Sequence, residues 1–190
     1  DHLLGDPAWR VPTADAWTCL AAIAQVTSRV RIGPMVAAVP RRQPAVLARE
    51  TATLDVLSAG RLILGVGLGW PSEADFAWFG GEPDVRRRAE MLDESLAILD
   101  GLWAGEPFAY QGRHFRVREA TFLPRPVQRP RVPVWVGSLR PGPSAPLRRA
   151  ARWDGFAPSS EGGVLDPATF GADVRRVLAL RAEAGLDDRP

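Results

Sequence analysis

The sequence contains no lysine, one cysteine and two histidines, and these scarcities exclude several kinds of site. Cys19 has no partner for an internal disulfide, and its neighbours Leu20 and Ala21 fall in a predicted helix, which favours a buried thiol. His2 and His114 are far from each other and from Cys19, so the usual zinc-ligand spacings do not occur. We therefore expect no metal site.

The sequence also has no uninterrupted run of about 18 apolar residues, the shortest length typical of a transmembrane helix. Its first residues lack the basic and apolar segments of a secretory signal. We therefore expect a cytoplasmic protein that does not contact a membrane. Because the chain begins at Asp1 without a methionine, we also expect it to be a fragment.

All the basic side chains are arginine, and 24 of them face 22 acidic residues for a formal net charge of +2. The sequence pI near 9.4 reflects the high pKa of arginine more than a large positive field. We interpret arginine runs such as Arg41-Arg42 and Arg86-Arg87-Arg88 as solvated faces or ion pairs. The expected partner is a small-molecule substrate and not a nucleic acid.

Apolar residues make up 46% of the 190 positions, which is enough for the core of one globular unit. Helical and strand patterns alternate along the chain. Helices are predicted over 13–28, with Thr13 as N-cap, and over 44–60, 84–103, 145–152 and 167–184. Strands are predicted over 30–36, 61–67, 132–137 and 155–157, and a β-hairpin is predicted between Gly105 and Pro130.

This alternation of strands and helices indicates a parallel sheet with helical crossovers. Periodicity does not choose between an open doubly wound sheet and a closed (β/α)₈ barrel. Gly65, Gly67 and Gly69 are spaced as G-x-G-x-G and precede Trp70-Pro71 instead of a helix, which excludes a dinucleotide-fold fingerprint. No G-x-S-x-G motif occurs, so the nucleophile elbow of a serine hydrolase is absent.

Several blocks of the sequence, in the same order, resemble the bacterial luciferase-like monooxygenase family. They are VPRRQPAVLARETATLDVLSAGRLILGVGLGW, FAWFG, RRRAEMLDESLAILDGLW, GRHFRV, PRPVQRPRVPVWVG and ARWDGFAP. The resemblance implies a partial (β/α)₈ TIM barrel, an α/β fold whose active sites lie at the carboxyl ends of the strands. It also implies that residues 1–190 are a single barrel domain truncated at both ends, with the hairpin at about 105–130 inserted before the fifth strand.

The resemblance further implies where the ring of a flavin or deazaflavin would bind. Met35 and Val36 match a position at which family members often have a non-prolyl cis peptide bond behind the ring; the alternative is an ordinary irregular strand end. Gly67, Leu68 and Gly69 would let the ring approach the backbone, because glycine has no β-carbon. The alternative is that these glycines only serve packing.

Gly137 and Ser138, after the predicted fifth strand, are the candidates for binding a coenzyme phosphate. They offer backbone N–H groups and a hydroxyl, and Arg140 is near enough in sequence to help. The alternative is a simple loop.

Asp1 and His2 resemble an Asp-His pair that several deazaflavin-dependent members place near the reactive edge of the coenzyme. We predict His2 as the catalytic residue, which would shuttle a proton, and assign Asp1 to coenzyme binding. The alternative is that His2 is a loop residue. His114 belongs to the hairpin, where we expect a structural role. Leu68 stands where luciferases have arginine and some sugar-phosphate dehydrogenases have glutamate, so neither specialised mechanism transfers in full.

These features predict an oxidoreductase that uses FMN or coenzyme F420 (deazaflavin) on a small organic substrate. Reduced FMN, with NAD(P)H as a reductant, would oxygenate the substrate, whereas the deazaflavin would exchange hydride with it. The pair of Asp1 and His2 favours the deazaflavin. The alternative is a non-catalytic flavin-binding relative. The resemblance also leaves room for a homodimer.

Overall fold

The computed structural model describes residues 1–4, 12–139, 142, 144–160 and 163–186, and strands and helices alternate along them. The helices in this part of the chain are α1 (Ala16–Val26), α2 (Pro44–Leu57), α3 (Val85–Trp103), α4 (Ala145–Ala150) and α5 (Pro167–Glu183). The strands are β1 (Ala37–Ala38), β2 (Leu64–Gly67), β3 (Phe108–Gln111), β4 (Arg116–Ala120), β5 (Val134–Leu139) and β6 (Gly155–Ser159). Short 3₁₀ turns follow β1 at Val39–Arg41 and β2 at Ala77–Phe79.

Among the described strands, β1, β2, β5 and β6 form one parallel sheet in that order. Spatial order therefore equals chain order, without the reversal at which a doubly wound sheet switches direction. Strands β3 and β4 form the antiparallel hairpin between α3 and β5, as predicted. The fold is the predicted partial (β/α)₈ barrel.

The hydrophobic core lies between the sheet and its helices. Alternate strand residues are fully or almost fully buried on this side; they are Leu62, Leu64, Val66, Val132, Val134 and Val136. Trp103 from α3 joins them, and its indole N–H donates to the hydroxyl of Thr51 in α2 at 3.1 Å. Burying one such aliphatic side chain contributes roughly 1.5–3 kcal/mol, so this face fixes the register of the sheet. No helix in the described part of the chain is long and apolar enough to cross a membrane.

The predicted strand over 30–36 is wrong in its position. Within that range only Ile32 makes a β-bridge, to Leu62, and the regular strand lies at Ala37–Ala38. Pro34 has no N–H to donate to a neighbouring strand, and a β-carbon on Gly33 would collide with the carbonyl oxygen of Ile63. The backbone at Gly33 and Pro34 therefore lies too close to Ile63 to form the regular hydrogen-bond ladder of a strand, and it also lacks an N–H donor that the ladder needs.

Two predictions about α1 are also wrong. Its N-cap is Asp15 and not Thr13, because the Asp15 carboxylate accepts from the N–H of Thr18 at 2.7 Å. Cys19 is exposed. It lies two residues after the buried Trp17, about 200° around the helix, and therefore on the opposite face.

The arginines were predicted to lie on solvated faces or in ion pairs, and the structure shows ion pairs and also a buried arginine stacked on an aromatic ring. Arg149 in α4 makes a bidentate ion pair with Asp93, through Nε to Oδ1 at 2.6 Å and Nη2 to Oδ2 at 2.8 Å. Arg88 is 1% exposed and has no ion pair with any described residue: its guanidinium lies 4.0 Å from the ring centroid of Phe76, and Nη2 donates to Ser72. Stacking on an aromatic face places this charge inside the protein.

Candidate active site

The candidate site lies at the carboxyl edge of the parallel sheet, where residues 1–4 pass beside the end of β1. The N–H of Ala38 donates to Oδ2 of Asp1 at 3.3 Å, which joins this segment to the strand. The 3₁₀ turn that follows β1 brings Arg41 and Arg42 to the same edge. Active sites of β/α barrels lie on this face, and residues 1–4 lie there too.

Asp1 is held by both arginines. Nη2 of Arg41 lies 3.0 Å from Oδ1 of Asp1 and donates to the Asp1 carbonyl oxygen at 2.7 Å. Nη2 of Arg42 donates to Oδ1 at 3.2 Å and Nε to Oδ2 at 3.3 Å. The Asp1 side chain is 5% exposed, so both of its oxygens are engaged within the protein.

His2 is bound by a residue that the sequence analysis missed. Its Nδ1 lies 2.8 Å from Oδ2 of Asp75, a carboxylate on the loop between β2 and α3. The other oxygen of Asp75 accepts from the N–H groups of Leu3 and Leu4, both at 3.0 Å. One buried carboxylate therefore fixes both the ring of His2 and the backbone that follows it.

Arg41 completes this cluster, because its Nη1 donates to Oδ2 of Asp75 at 3.0 Å. The Asp75 side chain is fully buried. Burial by itself would raise the pKa of Asp75, but the hydrogen bonds from Leu4 and His2 and the positive charge of Arg41 together hold that pKa below its ordinary value. Asp75 is accordingly a carboxylate at neutral pH, with Arg41 as its counter-charge.

The cis peptide bond predicted between Met35 and Val36 is present. The side chain of Val36 lies across the neighbouring strands, where it occupies the space that β-carbons would take at two glycines. A β-carbon on Gly67 would lie 2.7 Å from Cγ2 of Val36, and one on Gly137 would lie 2.8 Å from Cγ1. Both glycines are thus needed for packing, and Val36 covers them with an apolar surface.

The end of β2 shows the same arrangement. Gly69 has φ +80°, and a β-carbon there would lie 2.6 Å from Cζ of Phe76 and 2.8 Å from Cβ of Ala38. Leu68 is half-buried against the core. The alternative that these glycines serve packing is therefore supported at Gly67 and Gly69, and the open surface at this edge comes from neighbouring side chains such as Met35, which is 59% exposed.

Gly137 and Ser138 belong to the end of β5 and do not form a loop. Ser138 is 6% exposed, and within the described residues its hydroxyl donates to the carbonyl oxygen of Leu139 over a long distance of 3.5 Å. A ligand that offered a closer acceptor could replace this long contact. Arg140, expected beside it, lies outside the described residues.

His114 has the predicted structural role in the hairpin. Its Nε2 lies 2.7 Å from Oε2 of Glu90 in α3. Glu94, one turn further along α3, accepts from the backbone N–H groups of Arg113, His114 and Phe115. These contacts attach the hairpin to α3. The described residues contain no group of three or more His, Cys, Asp or Glu side chains that could hold a metal ion.

Sequence analysis missed Asp75, Arg41 and Arg42 as parts of this site. Arg41 and Arg42 were counted among solvated or paired surface charges, and their pairing with Asp1 could not be read from a separation of about 40 residues. Asp75 left little signal of its own, because Glu73 lies two residues before it and the sequence does not tell which of the two acids is buried.

The chain has relatives of the kind its sequence blocks suggest. The family model described as luciferase-like monooxygenase matches residues 2–190. A protein of Mycobacterium tuberculosis whose function is uncharacterized is 36% identical over 180 residues, which are 94% of this chain and 60% of that protein.

Solved structures give the same fold. The monooxygenase RslO1 from Streptomyces bottropensis is 31% identical, with a TM-score of 0.69 over 91% of this chain and 51% of its own. An F420-dependent secondary alcohol dehydrogenase, solved with an F420-acetone adduct, is 25% identical, with a TM-score of 0.81 over 98% of this chain and 55% of its own. The chain thus spans about half the length of these solved relatives.

Proposed function

Since the chain belongs to the luciferase-like monooxygenase family, we propose that it forms part of an oxidoreductase that exchanges hydride between coenzyme F420 and a small alcohol or carbonyl substrate. The observation that carries this proposal is the fixed position of His2. Its ring is held by a fully buried carboxylate at the carboxyl edge of the sheet, where barrels carry their chemistry. The likeness to an F420-dependent secondary alcohol dehydrogenase supports the substrate class.

The residues at this edge fit a coenzyme with a flat ring and a phosphate. Met35 and Val36 offer an apolar surface beside the ends of β1 and β2, and Gly67, Leu68 and Gly69 allow that surface to lie close to the strands. In this proposal Val36 and Leu68, and not bare glycine backbone, would support the ring. Ser138 and the backbone of Gly137 would bind the phosphate, and the Ser138 hydroxyl would exchange its long contact to the Leu139 carbonyl oxygen for a bond to the phosphate.

When bound, a deazaflavin accepts or gives hydride at its ring, and reduced FMN reacts in addition with oxygen. In the proposed oxidation of an alcohol to a carbonyl compound, His2 would accept the proton of the hydroxyl on the carbon whose hydride the bound coenzyme would take up. In the reverse direction His2 returns the proton. Asp1 contributes by anchoring the segment through Arg41 and Arg42, because both of its carboxylate oxygens are engaged there.

A second candidate is an FMN-dependent monooxygenase with NAD(P)H as the source of reducing equivalents. It is favoured by the higher identity to the monooxygenase RslO1, 31% against 25% for the F420 enzyme. A non-catalytic flavin-binding relative is the remaining alternative, and in that case His2 would have only a structural role.

Binding of the two coenzymes separates these candidates. The full chain is titrated with F420 and with FMN while coenzyme fluorescence is followed, and oxygen uptake is then measured with NADH-reduced FMN. We expect tight binding of F420 and hydride exchange with small secondary alcohols. Oxygen consumption with FMN alone would favour the monooxygenase, and failure of both coenzymes to bind would contradict an enzymatic role. His2→Gln should bind F420 normally and lose turnover.

A further inference from the structure

We infer that Asp75 is a positioning residue that fixes His2 as the tautomer protonated on Nδ1, so that Nε2 is the nitrogen that exchanges a proton with the substrate. This inference rests on the proposed function for its catalytic meaning. Its structural part concerns only where the proton resides on one imidazole ring, and that can be measured without any coenzyme.

The contacts of Asp75 leave it no freedom to reorient. Within the described residues it accepts from the N–H groups of Leu3 and Leu4 at one oxygen, and from His2 and Arg41 at the other. Its side chain has no exposed surface. A carboxylate that is bound on both oxygens holds His2 Nδ1 at one place and angle, as a third group orients the base in other catalytic arrangements.

The protonation state of Asp75 decides the tautomer. Arg41 and two backbone N–H groups can only donate, so the Asp75 oxygens that face them must accept. The same contacts keep the pKa of Asp75 low despite its burial, and an ionised carboxylate has no proton to give. The hydrogen on the 2.8 Å contact therefore belongs to Nδ1 of His2, and neutral His2 carries its lone pair on Nε2.

The geometry of His2 also bears on the accessibility of Nε2. The side chain is 44% exposed although its Nδ1 contacts a fully buried group, so the accessible surface belongs to the opposite side of the ring. No hydrogen-bond partner of Nε2 is found among the described residues. Nε2 is therefore both unprotonated in the neutral ring and open to a substrate hydroxyl.

Replacing Asp75 with asparagine should reverse the tautomer, for a reason specific to this cluster. Asparagine keeps one acceptor oxygen, and its amide group donates. If the amide oxygen faces Leu3 and Leu4, it accepts from both backbone N–H groups, and the amide nitrogen then faces only one donor that it cannot accept from, Arg41. If the amide is turned around, its nitrogen faces both backbone N–H groups, so two donors lose their acceptor. The amide would then donate to Nδ1 of His2, which moves the proton to Nε2.

Long-range nitrogen–proton correlation NMR of the imidazole rings tests this inference on the full chain without coenzyme. His2→Gln identifies the signals of His2. We expect protonated Nδ1 and bare Nε2 in neutral wild-type His2, and the reverse in Asp75→Asn. Glu90→Gln is the matched control: it removes the carboxylate beside His114 and should leave the signals of His2 unchanged. Protonated Nε2 with bare Nδ1 in neutral wild-type His2 would overturn the inference even if Asp75→Asn did not fold.

Kinetics with F420 and a secondary alcohol then test the catalytic meaning. Asp75→Asn should lower kcat about 100-fold and change the F420 dissociation constant by no more than about twofold, because general-base catalysis is lost while binding is kept. A reversed tautomer with unchanged kcat would overturn the positioning role. A wild-type protein with the expected tautomer that binds neither F420 nor FMN would instead refute the proposed function, so the two failures are distinguishable.

Discussion

The side chain of Val36 fills the space beside Gly67 that any other residue would need for its β-carbon: Cγ2 of Val36 lies 2.7 Å from that point. This contact joins the segment before β1 to the end of β2. Glycine at position 67 is therefore a packing requirement of the site, and the apolar surface offered to a ligand is that of Val36.

Gly67→Ala should destabilise the protein by about 1–3 kcal/mol, because the added methyl group overpacks against Val36. Urea unfolding followed by circular dichroism measures this. Gly171→Ala is the matched control. It makes the same chemical change inside α5, where the nearest atom to the new methyl is a side-chain nitrogen of Arg175 at 3.4 Å, and it should stabilise by about 0.5–1 kcal/mol. Equal effects of the two changes would contradict the packing role of Gly67.

Ser138→Ala should weaken coenzyme binding about tenfold and leave stability nearly unchanged, because a charge-assisted hydrogen bond to the phosphate would be lost. Fluorescence titration with F420 gives the dissociation constant. Ser28→Ala removes a hydroxyl from an exposed residue between α1 and the bridge at Ile32, and it should not alter binding. Unchanged affinity in Ser138→Ala would remove Ser138 from the proposed phosphate site.

Asp75 should make the free energy of unfolding depend on pH between about pH 5 and about pH 2. Its pKa is lower in the folded than in the unfolded protein, where it is about 3.9, so it stabilises the fold fully above that value and progressively less as the pH falls through its folded pKa. The difference in the free energy of unfolding between wild type and Asp75→Asn should therefore shrink from about pH 5 to about pH 2. Denaturant unfolding at each pH measures it, and a difference independent of pH would show that the ionised carboxylate is not what stabilises the cluster.

Asp55→Ala should destabilise by about 2–3 kcal/mol, because three hydrogen bonds to a buried carboxylate would be lost. Asp55 is fully buried at the end of α2 and accepts from the N–H of Val127 and from both the N–H and the side chain of Gln128. Asp100→Ala, at a side chain that is 52% exposed, should change stability by no more than about 0.5 kcal/mol. Both values come from urea unfolding, and a loss at Asp55 no larger than at Asp100 would contradict this account.

Cys19 should react with a water-soluble thiol reagent in the native protein about as fast as after denaturation, because it lies on the exposed face of α1. A colorimetric thiol assay under both conditions measures the rates. Cys19→Ser should abolish the reaction and leave the melting temperature unchanged. Slow reaction of the thiol in the native protein would contradict the exposed position and support the buried thiol expected from its sequence neighbours.

Much of the fold could be predicted because its determinants are local. The apolar period of residues 84–103 and the capping acid Asp84 fix α3, and the alternation around Gln111 to Arg113 fixes the hairpin. Prediction failed where contacts between neighbouring strands decide the position of a strand. The strand expected over 30–36 is displaced to Ala37–Ala38, because the close approach of Gly33 to Ile63 is made between distant parts of the chain.

The sequence by itself determined the alternation of strands and helices, the cis bond at Met35 and Val36 through the family resemblance, and the choice of His2 as a catalytic candidate. Only the tertiary structure decided what His2 contacts. Asp75 lies 73 residues away and Arg41 lies 34 residues from Asp75, and they meet because parallel strands bring their carboxyl ends to one edge. Pairing across such distances depends on the strand order, which local patterns do not encode.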